Sequence, residues 1–178
     1  MGILVGLGVV TVTFFALVFA FILRSQVAVN WRPIHLPPVL WLSSGILVAS
    51  SLVLERARHL LRKNDQQGFH RLAVWATGLG IAFLLGQLTG WLQMLSSGVV
   101  LDRNPHSAFI FIFSGLHGAH ILVGLAGLYY IVRRTRVVAS GPKYQMTTRV
   151  WTNAVSVFWH YLDGLWLALF GLLLLWKR

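Results

Sequence analysis

Three histidines and one aspartate lie deep within apolar stretches, where an ionisable side chain is costly. His117 and His120 occupy one apolar run, and His160 and Asp163 occupy a later one. A charged aspartate at the bilayer centre costs about 2.5–3.5 kcal/mol, so Asp163 needs a proton or a polar partner. The simplest partner is a histidine, either His160 one helical turn away or one from the earlier run. We therefore predict a polar network at membrane depth, structural and possibly proton-linked, that includes the following side chains: His117, His120, Trp159, His160 and Asp163.

The last apolar run places its polar residues on one helix face. Asn153, Ser156, His160 and Asp163 follow one another at 3- and 4-residue intervals. Such a stripe must face protein or water rather than lipid. Three interpretations remain open: a buried structural network, a bis-histidine haem site with His117 or His120 opposite His160, and a proton-conducting or headgroup-binding role. Haem is the least favoured, because many two-haem membrane cytochromes carry four deep histidines and this chain has three.

The elements that carry these residues are predicted to be membrane helices. The 178 residues are 57% hydrophobic and 11% charged, with a mean hydropathy of +0.73, whereas about a quarter of the residues in a soluble domain are charged. A spanning helix needs about 20 apolar residues. The sequence thus predicts an all-α, polytopic protein in which residues 1–178 form one bundle. Five transmembrane helices are expected at about 2–23, 39–60, 72–95, 108–132 and 150–176.

The basic residues predict the orientation of the bundle. Two connections carry ten Lys and Arg residues, against five on the other side, and such residues are retained in the cytoplasm during insertion. The N-terminus is therefore expected in the cytoplasm and the C-terminus in the periplasm. The net charge of +11 does not favour nucleic-acid binding, because the charges sit in short loops where they set topology. The ten are Arg56, Arg58, Arg62, Lys63, Arg71, Arg133, Arg134, Arg136, Lys143 and Arg149; the five are Arg24, Arg32, Arg103, Lys177 and Arg178.

Small residues predict close helix packing in the third span. Lipid tails are as apolar as leucine, so close backbone approach and interhelical hydrogen bonds must hold membrane helices together. Gly78, Ala82, Gly86 and Gly90 recur at four-residue intervals and are expected to form a bare face for a neighbouring helix. Six tryptophans fall near span ends, as is usual at membrane interfaces, whereas Trp159 and Trp166 lie within the fifth span. The six are Trp31, Trp41, Trp75, Trp91, Trp151 and Trp176.

Two stretches resemble subunit III of cytochrome c oxidase. SGLHGAHILVG, from Ser114 to Gly124, is similar to that family's T-G-x-H-G-x-H-v-x-x-G, and FWHYLDGLW, from Phe158 to Trp166, is similar to its y-W-H-F-x-D-x-x-W. The two matches fall in order in consecutive helices. Weaker similarity covers the rest of the chain, and the family's five-helix bacterial form fits the predicted span count. Two carboxylates common in the family are missing, since the equivalent of one is Val10 and Gln87 is followed by Gly90 in place of a glutamate.

The resemblance implies a non-redox subunit of a proton-pumping terminal oxidase in the bacterial inner membrane. Such a subunit binds no cofactor of its own; haem and copper lie in partner subunits. It would bind subunit I directly, join subunit II in the hetero-oligomer, stabilise subunit I, support proton uptake and bind phospholipids. Membership of a respiratory supercomplex is left open. The candidates for contacts with lipid headgroups are basic residues of the inner face: Arg56, Arg58, Arg62, Lys63, Arg133 and Arg134.

Two other assignments stay open at the level of sequence. A b-type cytochrome membrane anchor would use the deep histidines as haem ligands. An accessory subunit of nitric oxide reductase belongs to a branch that resembles subunit III. A small transporter is disfavoured, because the chain shows neither an inverted repeat nor broken helices.

Overall fold

Five long helices make up almost all of the part of the chain that the structure describes. The computed structural model describes residues 2–27, 36–99, 104–136 and 142–176, without the side chains of residues 2–4, 136 and 142–145. All five helices are long and apolar enough to cross a membrane, as predicted. They are α1 (Gly2–Val27), α2 (Pro38–Arg62), α3 (Gln66–Ser96), α4 (Pro105–Arg136) and α5 (Pro142–Leu175).

The helices extend beyond the apolar runs that predicted them. Helix α3 begins at Gln66 and α5 at Pro142, six and eight residues before the predicted spans. Proline opens α2, α4 and α5, where its missing N–H would have had no helical partner. The Asp65 carboxylate caps α3 by accepting a hydrogen bond from the backbone N–H of Gly68 at 2.9 Å. Local capping thus sets these helix starts, whereas apolarity marks only the part that crosses the membrane.

Helices α2 to α5 close into a four-helix bundle, and α1 packs outside it. Each of these four helices contacts the next, and α5 also contacts α2, so they form a ring. Helix α1 packs on α4 and α5. The first helix is therefore held by one side only, and its outward side chains, among them Val9, Val12 and Phe15, are exposed.

The glycine row of α3 packs against α2 over half of its length. A Cβ added to Gly86 would lie 2.8 Å from the Ser43 Cβ, and one added to Gly90 would lie 2.6 Å from a methyl group of Leu40. Ala82 is half-buried. Gly78 is exposed and has no atom within 4 Å of an added Cβ among the described residues, so it does not take part in the contact with α2. Positions four apart drift by about 40° per step around a helix, so four of them do not face one neighbour.

The tryptophans that the sequence placed at span ends differ in their exposure. Trp41, Trp75 and Trp151 are exposed and Trp91 and Trp176 are half-buried, whereas Trp159 and Trp166 are buried in the bundle. Several residues used in the charge and tryptophan arguments lie outside the described residues, namely Trp31, Arg32, Arg103, Lys177 and Arg178.

Candidate functional site

A line of polar side chains follows the contact between α2 and α5, and we call it the α2–α5 polar seam: Ser51, Glu55, His160 and Asp163. Ser51 and Glu55 are one helical turn apart on the same face of α2. The His160 ring lies between them, with Nδ1 3.0 Å from the Ser51 Oγ and Nε2 3.4 Å from the Glu55 Oε2. Both ring nitrogens of His160 therefore contact α2, and the ring orientation is set by that helix.

The seam continues from Glu55 to the basic end of the bundle. Arg58 donates to one Glu55 oxygen at 2.6 Å, and Arg62 donates to the other at 3.2 Å. Arg58 also donates to the Asn153 side-chain oxygen at 3.2 Å, which ties α5 to the last turns of α2. These contacts form a continuous line of polar groups from the end of the bundle that carries the basic connections towards its interior.

Sequence reasoning missed Glu55, although the predicted second span, 39–60, contains it. Its partner His160 is 105 residues further along the chain, so no local pattern pairs them. The four-residue interval between Ser51 and Glu55 is a signal that could have placed both on the face that meets α5.

Asp163 lies at the inner end of the seam. It is 6% exposed, and the Ser51 hydroxyl is close enough to interact with its carboxyl group. Its Oδ1 has no hydrogen-bond partner among the described residues. The described contacts do not include the direct histidine partner that the sequence suggested, since His160 is bonded to Ser51 and Glu55. Ser51 instead stands between the two predicted network residues.

His117 and His120 belong to different surroundings from His160. The buried ring of His117 stacks on Trp166, with centroids 5.0 Å apart, and meets the edge of Phe83 at 5.9 Å. The Nδ1 of His120 lies 2.7 Å from the Leu116 carbonyl oxygen. Contacts in the described chain therefore separate the predicted network residues: His160 and Asp163 lie in the seam, His117 lies in an aromatic cluster, and His120 contacts the backbone of its own helix. A bis-histidine haem pair would need a free nitrogen on each ring, whereas both His160 nitrogens contact Ser51 and Glu55.

Trp159 is held by two glycines of neighbouring helices. Its ring is fully buried, and a Cβ added to Gly80 of α3 or Gly124 of α4 would lie 2.7 or 2.9 Å from ring carbons. Side chains at those two positions would collide with the ring. Gly124 is the last residue of the first motif stretch, and Trp159 belongs to the second, so the two stretches meet here.

The basic residues proposed for headgroup contact fall into two groups. Arg56 and Lys63 are exposed, and the exposed Arg133 lies over the Tyr129 ring at 5.9 Å. The other three already bind side chains of the protein. Arg58 and Arg62 bind Glu55, and Arg134 donates to the hydroxyls of Tyr130 and Thr148 at 2.9 and 3.2 Å.

The five spanning helices define the class of the protein as a multi-pass membrane protein. In the described ranges, no cluster of three or more His, Cys, Asp and Glu side chains could hold a metal ion. The family model of cytochrome c oxidase subunit III matches residues 3–178. The chain therefore belongs to the cytochrome c oxidase subunit III family, whose members are haem-copper oxidase subunits associated with other oxidase subunits.

Individual relatives agree with this family. The chain is 28% identical over 166 residues to cytochrome c oxidase subunit 3 of Synechocystis sp., which covers 91% of the chain and 69% of the relative. It is 30% identical over 165 residues to the probable cytochrome c oxidase subunit 3 of Mycobacterium tuberculosis, covering 88% of the chain and 78% of the relative. With the Thermostichus vulcanus cytochrome c oxidase subunit 3 it shares 25% identity over 100% of the chain and 87% of the relative.

Proposed function

We propose that this chain is the non-redox subunit III of a proton-pumping cytochrome c oxidase in a bacterial inner membrane. It binds subunit I directly, joins subunit II in the same hetero-oligomer, stabilises subunit I and supports proton uptake. The observation that carries the proposal is the family match over residues 3–178, which includes both motif-bearing helices. Haem and copper reside in the partner subunits, and this chain contributes packing, charge and proton-exchanging groups.

The α2–α5 polar seam supports a proton-linked role. A carboxylate, an imidazole, a hydroxyl and a second carboxyl group follow one another from Glu55 through His160 and Ser51 to Asp163. An imidazole can accept a proton on one nitrogen and release one from the other. The seam thus has the chemistry to move protons between the basic end of the bundle and its interior.

The exposed basic residues support lipid binding at the inner membrane face. Anionic headgroups attract juxtamembrane cations by about 1 kcal/mol for each Lys or Arg near the surface. Arg56, Lys63 and Arg133 are exposed at the end of the bundle that carries the two basic connections. These three are better suited to headgroup contact than Arg58 and Arg62, which already bind Glu55.

The supporting role is tested by comparing the oxidase complex with and without this chain during prolonged oxygen consumption. We expect similar initial rates, followed by progressive loss of activity in the complex that lacks the chain. Adding the purified chain back before turnover should restore sustained activity. Full activity through prolonged turnover in the depleted complex would contradict the proposed role.

A further inference from the structure

The outward side of α5 carries few large side chains along much of its length. Val157, Gly164, Ala168 and Gly171 follow one another at seven-, four- and three-residue intervals, so they share one face of the helix. The first three are exposed, and a Cβ added to either glycine would meet no atom within 4 Å among the described residues. We call these four residues the α5 outer face.

Two consecutive residues of α5 flank this face and reach the neighbouring helices on either side. His160 contacts Glu55 of α2, and the Tyr161 hydroxyl lies 2.7 Å from the Thr11 hydroxyl of α1. Gly164 comes three residues after Tyr161 and four after His160, so it lies one helical turn further along, between them. The α5 outer face is therefore the surface that this helix presents between α1 and α2.

Polar groups beside the α5 outer face are exposed where the helices cross the membrane. The side chains of Glu55 and His160 are 47% and 35% exposed, and Thr11 is exposed as well. All three residues lie within the spanning segments. Ionisable side chains inside a membrane normally face protein or water, because contact with lipid tails is costly. This side of the bundle is therefore better suited to contact with another protein than with lipid.

Helix α3, diagonally opposite α5 in the ring, presents a different surface. Ile81, Leu85, Leu88 and Leu92 follow one another at three- and four-residue intervals, and all four are exposed. Such side chains are as apolar as lipid tails and meet them without a penalty. The outward side of α3 thus has the composition of a lipid-facing surface, whereas the α5 outer face and its flanks combine bare backbone with exposed polar groups.

We propose that the α5 outer face docks a transmembrane helix of subunit I, an inference that rests on the proposed function. With no side chains at Gly164 and Gly171, the backbone of the partner helix can approach closely, and close approach is a main source of attraction between membrane helices. The partner helix is expected to carry small residues opposite the glycines. Near Glu55 and His160 it is expected to offer a hydroxyl or amide side chain, which would replace lipid with a hydrogen-bonding neighbour.

Site-specific photo-crosslinking in the intact membrane identifies the neighbour of each side. A photoreactive amino acid replaces either Leu167, which borders the α5 outer face, or Leu88 of α3 as the matched control. Both leucines are exposed, by 46% and 54%. We expect a crosslink to subunit I from position 167 and little or none from position 88, with the products identified by mass spectrometry. Equal yields at the two positions, or products at position 167 that contain only lipid or a second copy of this chain, would overturn the proposal.

A second pair of variants tests the close approach of the two helices. Ala168→Leu adds a bulky side chain to the α5 outer face, and Ala126→Leu makes the same change on the exposed side of α4. We expect Ala168→Leu to reduce co-purification of subunit I about tenfold, because the added side chain holds the backbones apart. Ala126→Leu should change co-purification by about twofold or less. If either variant also lowers the thermal stability of the purified chain, the crosslinks decide the question.

Co-purification with the wild-type chain distinguishes failure of the docking face from failure of the proposed function. If subunit I co-purifies with the wild-type chain and equally with the stable Ala168→Leu and Ala126→Leu variants, the docking face is wrong and the proposed function stands. If subunit I does not co-purify with the wild-type chain, the proposed function fails and the docking face fails with it.

Discussion

Two adjacent serines of α2 have different partners, and this difference shows how the seam is built. The Ser51 hydroxyl bonds to the His160 ring on α5, whereas the Ser50 hydroxyl donates to the backbone carbonyl of Ala76 on α3 at 2.9 Å. Both serines are buried in the bundle. Ser50 therefore fastens helices together, and Ser51 also sets the orientation of a titratable group.

The pair of serines gives a matched prediction at the residue scale. Ser50→Ala removes one buried hydrogen bond and should destabilise the chain by about 1 kcal/mol in thermal unfolding, whereas Ser51→Ala removes the contacts with both His160 and Asp163 and should cost about 1–2 kcal/mol. Only Ser51→Ala interrupts the seam between His160 and Asp163. We therefore expect the oxidase complex with Ser51→Ala to lose activity during prolonged turnover, while the complex with Ser50→Ala retains it. Equal behaviour of the two variants under turnover would show that the seam acts as structure alone.

The sequence predicted which residues are unusual better than it predicted their partners. His117, His160 and Asp163 stand out because polar groups at membrane depth are rare and need compensation. Their neighbours come from helices that are distant in sequence, as Ser51 and Glu55 are from His160. Pairings of this kind depend on how each helix is rotated in the bundle, and the periodicity of a single helix does not determine that rotation.

At the scale of the helices, glycines determine where a large ring fits. Gly80 and Gly124 lie close to Trp159 from α3 and α4, whereas Gly78 is open in the described structure. The apolar runs predicted five helices. In the structure these helices are longer than the runs, because capping and proline residues set where they begin. The four-residue glycine row on α3 matches the contact with α2 at Gly86 and Gly90 but not at Gly78, because such a row winds around the helix.

Alanine substitutions test this packing directly. Gly124→Ala would bring a methyl group 2.9 Å from the Trp159 ring, and we expect it to destabilise the chain by about 1–3 kcal/mol through overpacking. Gly78→Ala adds the same methyl group where it meets nothing, so it should be neutral or stabilise the helix by up to about 1 kcal/mol. Thermal unfolding in detergent measures both. A Gly124→Ala chain as stable as Gly78→Ala would contradict the close fit around Trp159.

At the scale of the whole molecule, the five helices place their basic connections at one end. Asn64, in the turn after α2, accepts a hydrogen bond from Arg149 near the start of α5, and His70 of α3 lies 3.0 Å from Thr135 near the end of α4. The opposite end brings together the aromatic rings of Phe21 on α1, Phe109 on α4 and Trp176, which follows α5 directly. This alternation agrees with five successive crossings of one membrane.

The orientation of the bundle is a separate prediction that rests on the positive-inside rule. The C-terminus is expected in the periplasm, so a reporter that functions in the periplasm should be active when it is fused after Arg178. The turn near Asn64 is expected in the cytoplasm, so a reporter that functions in the cytoplasm should be active when it is inserted there. A pair of reporters that function on opposite sides, such as alkaline phosphatase and green fluorescent protein, makes the comparison at each site. Cytoplasmic activity at the C-terminus would reverse the assigned orientation.

Association with an oxygen-reducing core is the claim on which the proposed function rests. The direct measurement is affinity purification of the tagged full-length chain in mild detergent, followed by identification of the co-purifying proteins and an absorption spectrum. We predict a fixed ratio of this chain to a subunit that carries haem and copper, with the spectrum belonging to that partner. Recovery of this chain alone, as a monomer with its own haem, would contradict the account.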